Sequence, residues 1–287
     1  MSIAIVTDTN SGISVEEASS IGIFVTSMPV IIDNEAYYEG KNITEQQFYE
    51  ALTSNRQVTT SQPSPGDLIE LWDSILEQGY DQILHIPMSS TLSNSCHAAM
   101  GFAEEYEGKV IVVDNRRISV TLRDSVMKAK RYVEEGKSAD EIKQLLEKEA
   151  YNSTIYISVN TLEFLKRGGR ITTTAAMLGT VLNIKPILTL QKEKLDSFSK
   201  ARSMKKCQQK MIEAIQTDID QRFANVNMSD LYIGAVGTAL SESEQKEWLD
   251  AVKNAFPQAN VYYSPLSVSI GCHTGPGAVV LTYWSDE

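Results

Sequence analysis

Three short apolar runs in the first half of the chain, residues 3–6, 82–86 and 109–113, are each followed by a polar turn. Each turn leads into a stretch of helical pattern, at 15–20, 96–106 and 119–134. Strands that alternate with helices are joined by crossovers, so they lie parallel in one sheet with helices on both faces. The fold class expected is α/β, with an N-terminal Rossmann-like α/β/α domain over residues 1–150 and a small β-hairpin excursion near 28–42. Beyond residue 151 the order is less regular. Strands are expected at 154–159, 184–190, 195–199, 231–236, 261–263 and 279–283, and helices at 161–167, 203–223 and 241–255, which reads as a separate α+β domain over 151–287. Helix starts carry their own signals: Ser64-Pro65 as N-cap and first residue of a helix, and capping boxes at Thr44/Gln47, Ser138/Glu141 and Ser241/Glu244.

With 287 residues, 42% of them hydrophobic, the chain can bury two ordinary cores. Its net charge of −11 repels phosphate backbones, which argues against nucleic-acid binding. Cys96, Cys207 and Cys272 are far apart and form no metal or disulfide pattern, as in a reducing, cytoplasmic setting. The first residues lack the basic and apolar segments of a signal peptide, and no apolar run approaches the ~20 residues that span a bilayer. A soluble protein is expected, with any membrane contact peripheral. Phosphate-loop, dinucleotide, nucleophile-elbow and zinc-helix motifs are all absent, so no cofactor or metal is expected.

The chemistry concentrates in the turn Pro87-Met88-Ser89-Ser90-Thr91-Leu92-Ser93-Asn94, between the strand at 82–86 and the helix that follows. Hydroxyls and free backbone N–H groups at such a turn suit a phosphate or a carboxylate. Ordinary helix capping uses the same residues. Thr60 and Ser61 stand in a loop ahead of the Ser64 cap, free for other work. Of the histidines, His85 reads as a core residue satisfying a hydrogen bond, and His97 has no evident partner. His273 differs, standing in a Gly/Pro-rich turn beside Thr274, where a side chain can be aimed into a cleft. Hydroxyls on separate stretches with one imidazole and no acid/base dyad make an anion clamp the better reading.

These stretches together resemble the DegV family. The matching residues are Thr7-Asp8, Thr60-Ser61-Gln62-Pro63, Ser89-Ser90-Thr91-Leu92-Ser93, Lys166-Arg167-Gly168-Gly169-Arg170-Ile171, Ile184-Lys185-Pro186, Lys200-Ala201-Arg202 and His273-Thr274-Gly275-Pro276-Gly277-Ala278, in the same order over nearly the whole chain. The resemblance implies a two-domain protein that binds one long-chain fatty acid in a tunnel between its domains. It also implies a role as the lipid-binding, non-enzymatic subunit of a bacterial fatty acid kinase, handing the acyl carboxylate to a separate ATP-dependent kinase subunit for acyl-phosphate formation. The carboxylate clamp implied is Thr60, Ser93, the N–H of Asn94 and His273, with Arg170 as a nearby charge; Ser61 and Thr274, next to clamp residues in the chain, are further carboxylate-binding candidates. Arg202 is implied as part of the surface that meets the kinase, and the neighbouring Lys205 and Lys206 are expected to extend it as part of a positively charged run. Two departures stand out. The family usually has Gly where this chain has Thr91 and Asn94, so a narrower pocket or altered turn is expected there. Ser27 stands where the family has Pro, with Pro29 two residues on.

Other readings remain beside this one. Ser93 and His273 could serve a Ser-dependent acyl hydrolase, although no acidic orienter is evident. The small, apolar residues 174–182, including Met177, Leu178, Val181 and Leu182, read equally as tunnel wall or lid and as an interdomain core helix. Residues 199–211 carry Lys200, Arg202, Lys205, Lys206 and Lys210 and no acidic residue. That run is either a solvated helix face or a patch for an acidic partner or anionic headgroups.

Overall fold

The computed structural model describes residues 1–177, 184–190, 194–222 and 226–285. Leu178, Val181 and Leu182 therefore lie outside the described residues. The elements run in chain order β1 (Ile3–Asp8), α1 (Val15–Ile21), β2 (Phe24–Thr26), β3 (Val30–Ile32), β4 (Glu35–Tyr37), α2 (Glu45–Thr53), β5 (Val58–Thr60), α3 (Pro65–Glu77), β6 (Gln82–Ile86), α4 (Ser95–Ala103), β7 (Val110–Val112), α5 (Val120–Glu134) and α6 (Ala139–Lys148). They continue β8 (Ser153–Ser158), α7 (Glu163–Gly168), α8 (Thr173–Met177), β9 (Lys185–Leu190), β10 (Asp196–Ala201), α9 (Met204–Arg222), β11 (Leu231–Gly237), α10 (Glu242–Ala255), β12 (Asn260–Pro265), α11 (Val268–Thr274) and β13 (Val279–Ser285). Two compact units form, one from Met1–Thr44 with Gln57–Tyr151 and one from Glu45–Arg56 with Asn152–Glu287.

The first unit is built on a parallel sheet ordered β2-β1-β6-β7, with Val6 opposite His85 and His85 opposite Val112. All of β1 is buried, because both faces of the sheet are covered. On one face Ala4, Val6, Ile83, Val110 and Val112 pack with Leu68, Trp72 and Ile75 of α3 and Cys96 and Ala99 of α4. Each large apolar side chain buried there contributes about 1.5–3 kcal/mol against leaving it in water. A second, antiparallel sheet ordered β4-β3-β5 follows the expected hairpin, whose turn residues Asp33 and Asn34 both take positive φ. Its third strand corrects the sequence reading: Thr60 lies in β5, paired with Val30, and not in a loop. The β-branched run Val58-Thr59-Thr60 explains why.

The second unit holds a six-stranded sheet ordered β10-β9-β8-β13-β11-β12, antiparallel except for β11 with β12. The helix α9 lays Cys207, Met211, Ala214, Ile215 and Ile219 on it, the face its periodicity predicts, and α10 adds Trp248 and Val252. Both Ser138 and Ser241 form the expected capping boxes, and Ser64 caps α3 with Pro65 next to it. Residues 45–56 group with this unit although they precede the boundary expected near residue 150; a Cβ on Gly271 of α11 would stand 2.3 Å from Tyr49 Oη of α2, so α2 packs there against bare backbone.

His85 departs from expectation. It is buried in a T-shaped contact with Trp72, ring centroids 5.5 Å apart, yet neither ring nitrogen has a hydrogen-bond partner among the described residues. Burial without a partner disfavours the imidazolium and lowers its pKa from 6.5 to about 3. The folded state thus binds this proton less readily than the unfolded chain. Its stability is complete above pH 6.5 and falls as the pH drops from there towards 3. Melting of His85→Met and of the unmutated chain between pH 3 and 7 is expected to show the variant gaining on the parent only below pH 6.5, by about 4 kcal/mol at pH 3. A difference that does not vary with pH would assign the titration elsewhere.

Candidate functional site

The turn between β6 and α4 is held by its own residues and by the loop after β7. Ser89 donates its N–H to Arg117 O at 2.9 Å and accepts from the N–H groups of Leu92 and Ser93 at 3.1 and 3.2 Å. The Ser89 and Thr91 hydroxyls share one hydrogen bond of 2.8 Å. Ser90 donates its hydroxyl to Asp114 Oδ2 at 2.5 Å and its N–H to Oδ1 at 3.2 Å. Most hydroxyls of the motif are therefore spent on holding the loop.

Ser93 and Asn94 are arranged differently. Ser93 Oγ accepts from Ser95 N–H at 3.2 Å, and no acceptor for its own proton is found among the described residues. Asn94 is the N-cap of α4 with helical dihedrals (φ −74°, ψ −4°), and its side chain does not cap the helix. That side chain instead donates to Gln62 Oε1 at 3.4 Å, which brings the Thr60-Ser61-Gln62 stretch beside the helix start. The N–H groups of Asn94, Cys96 and His97 have no acceptor among the described residues. Capping thus uses one of the first-turn donors and leaves the others for an anion. Neither Thr91 nor Asn94 takes a positive φ, so side chains are accommodated at both places without backbone strain. Ser61 is exposed and donates its N–H to Pro29 O at 3.2 Å; Thr60 is half-buried. At the departure from the family's Pro, the Ser27 hydroxyl is buried with no partner among the described residues.

In the second unit, His273 is not in a turn. It occupies the last turn of α11, a short helix that the sequence reading missed because Gly271 interrupts an otherwise apolar run; the Ser267 cap was the available signal. A Cβ on Gly168, at the end of α7, would lie 2.2 Å from His273 Nδ1, so the imidazole rests on bare backbone. Arg170 donates to Gly168 O beside it. Burial, and next the charges of Arg170 and Arg167, push the His273 pKa down to about 4, so the ring is neutral at physiological pH. A neutral imidazole next to two cations can donate to an anion without carrying the full charge itself. Gly275 (φ 72°) and Gly277 (φ 73°) admit Phe164 and Asn160 in the same manner. Thr274 is buried, with its hydroxyl 3.3 Å from Ile270 O. Met177, expected as tunnel or lid, is 66% exposed. Arg202, Lys205 and Lys206 are exposed. A cleft of about 380 Å³ between α4, β7 and α6, lined by Met100, Val110, Val112, Asp140 and Lys143 among others, contains none of the expected site residues. Among the described residues, no helix is long and apolar enough to cross a membrane, and no cluster of metal ligands occurs.

A family model described as an uncharacterised protein of the DegV family matches residues 2–286. The chain belongs to the DegV family. A DegV domain-containing protein of Listeria monocytogenes is 31% identical over 285 residues, 99% of this chain and 98% of the relative. Among solved structures, one described as showing fatty acid binding of a DegV family protein from Thermus thermophilus is 30% identical, with a TM-score of 0.88 over 99% of this chain and 100% of that one. Another, described as DegV, a fatty acid binding protein from Bacillus subtilis, is 26% identical, with a TM-score of 0.85 over the full length of both chains. The mixed α/β fold, with its parallel sheet and sheet-rich C-terminal unit, is the one these DegV proteins share.

The packing of His273 on Gly168 can be tested directly. Gly168 has no left-handed φ, so alanine is sterically admissible there except for the imidazole itself. Gly168→Ala should displace the ring into solvent. Proton NMR of the three histidines is expected to show His273 titrating near pH 4 in the unmutated chain and moving up towards 6.5 in the variant. An unchanged titration would mean that the ring is seated elsewhere.

Proposed function

We propose that this DegV protein binds one long-chain fatty acid and presents its carboxylate to a separate ATP-dependent kinase subunit, which makes the acyl phosphate. The residues proposed for carboxylate binding are Thr60, Ser61, Ser93, the N–H of Asn94, His273 and Thr274, with Arg170 as a nearby charge. The observation that carries this reading is the start of α4, where a hydroxyl proton and several N–H groups stand without acceptors among the described residues. Uncharged donors of this kind stabilise a carboxylate while leaving it able to react. The relatives from Thermus thermophilus and Bacillus subtilis, described as binding fatty acids, support the same ligand.

The ligand's apolar part drives affinity. Each methylene taken out of water is worth about 0.8 kcal/mol, so a ~16-carbon tail offers roughly 10 kcal/mol before ordering costs. Leaving a bilayer yields little of this, because the tail there is already dry. The exchange step therefore needs the protein at the membrane surface, from the cytoplasmic side. Met177, exposed at the end of α8, is the described residue of the expected tunnel or lid that such an exchange would employ. The exposed basic residues Arg202, Lys205 and Lys206, on a chain of net charge −11, are the proposed docking surface for the kinase subunit.

Organic extraction and mass spectrometry of the purified protein should recover one acyl chain per molecule. Ser93→Ala and Thr60→Ala are each expected to lower oleate affinity about ten- to a hundredfold while the melting temperature holds, since a hydrogen bond to a charged group contributes about 1.5–3 kcal/mol. Failure of the unmutated protein to bind oleate or palmitate would end the fatty-acid reading. Separately, Arg202→Glu combined with Lys205→Glu should leave acyl content unchanged and reduce acyl-phosphate formation at limiting kinase and low salt. Full turnover in that variant would make the patch an ordinary solvated surface.

A further inference from the structure

Ser90 is bonded twice to Asp114, a residue outside every motif discussed so far. An acidic side chain near a carboxylate site is an electrostatic cost, because it repels the ligand. Its field reaches the start of α4: after burial, the largest influence raising the pKa of Cys96 is the charge of Asp114. A carboxylate kept in that place needs a compensating role, and its contacts supply one. Oδ1 accepts from Ser90 N–H and Arg116 N–H at 3.2 and 3.3 Å, while Oδ2 takes the Ser90 hydroxyl at 2.5 Å. The Asp114 N–H donates to Glu147 Oε1 of α6 at 3.2 Å, and Lys143 of the same helix donates to Val112 O at 2.7 Å. Asp114 is thus fixed from behind by α6 and grips the head-group turn in front.

The segment that follows is strained. Arg116 (φ 55°) and Ser119 (φ 59°, ψ −140°) are non-glycine residues with positive φ. Such conformations cost free energy and persist only where the surroundings enforce them. Here the same segment donates Ser119 N–H to Asn10 O and offers Arg117 O to Ser89 N–H, so its shape is what meets the turn. From Ser89 the bonding continues to Ser93, whose N–H closes on Ser89 O.

We propose that Asp114 is a positioning residue for the carboxylate end of the ligand. It binds Ser90, thereby setting the turn that carries the Ser93 hydroxyl and the Asn94 N–H. The inference rests on the fatty-acid reading given above. It separates position from charge. Asp114→Asn keeps an oxygen for the Ser90 N–H and an amide for the Ser90 oxygen, and it removes the repulsion. Asp114→Ala removes the grip as well.

The test is oleate affinity, measured by displacement of a fluorescent fatty acid, with melting temperature followed in parallel. Asp114→Ala is expected to bind oleate about tenfold more weakly, the loss of a charge-assisted contact. Asp114→Asn should bind at least as tightly as the unmutated chain. Ser90→Ala removes the bond from the turn's side and should weaken binding too, with the double variant losing less than the sum. Should Asp114→Ala fail to fold, Ser90→Ala and Asp114→Asn decide the matter. Unaltered affinity in Ser90→Ala, or equal losses in the Asn and Ala variants, would overturn the positioning role while oleate binding by the parent leaves the fatty-acid reading intact. No oleate binding by the parent would instead overturn that reading, and the positioning role with it.

Discussion

A carboxylate buried without a bonded cation among the described residues joins the ends of two central strands. Asp8, 1% exposed at the end of β1, accepts Met88 N–H at 2.7 Å and Asn10 N–H at 2.9 Å. Burial outweighs these bonds and raises its pKa to about 6. The fold tolerates that cost because the first unit depends on where the β1 and β6 turns stand relative to each other. With Met88 held, Ser89 and Ser90 meet the loop after β7, and the loop after β1 reaches Ser119 through Asn10 O. Turns at the carboxyl ends of three parallel strands are thereby fastened into one floor, which is where ligands of open α/β sheets are bound.

The second unit solves a similar problem by removing side chains. Gly168, Gly275 and Gly277 let His273, Phe164 and Asn160 approach backbone at distances that no Cβ would allow. Asn160 is held in turn by Lys185, whose ammonium lies 2.9 Å from Oδ1, and it donates to Pro276 O at 3.1 Å. Thr238 receives Ala278 N–H and donates to Gly275 O, closing the turn from the other side. The imidazole is thus placed by steric fit between two short helices, and its neutrality follows from that burial and from Arg170 and Arg167.

Local signals were read accurately where a residue's partner lies within one helical turn. The Ser64, Ser138 and Ser241 caps and the apolar stripe of α9 are of this kind. Reading failed where a partner lies far away in sequence or where a short element has a weak pattern. Thr60 reads as a loop residue because β5 is only three residues long and its pairing partner is β3. His273 reads as a turn residue because glycines that serve packing look the same in sequence as glycines that serve turns. His85 reads as hydrogen-bonded, yet its neighbour in the core is Trp72, set nearly perpendicular to it.

The amino-acid sequence by itself determined the alternation of elements, the parallel sheet and the resemblance to the DegV family, since periodicity, caps and motif order are properties of near neighbours along the chain. It also named the hydroxyl-rich turn. Which of those hydroxyls is spent on holding the fold was decided by tertiary structure alone. Ser90 gives its proton to Asp114, 24 residues away, and Met88 is held by Asp8, 80 residues away. A hydroxyl has one proton to donate, and whether it is spent depends on acceptors that only folding brings within 3 Å or so.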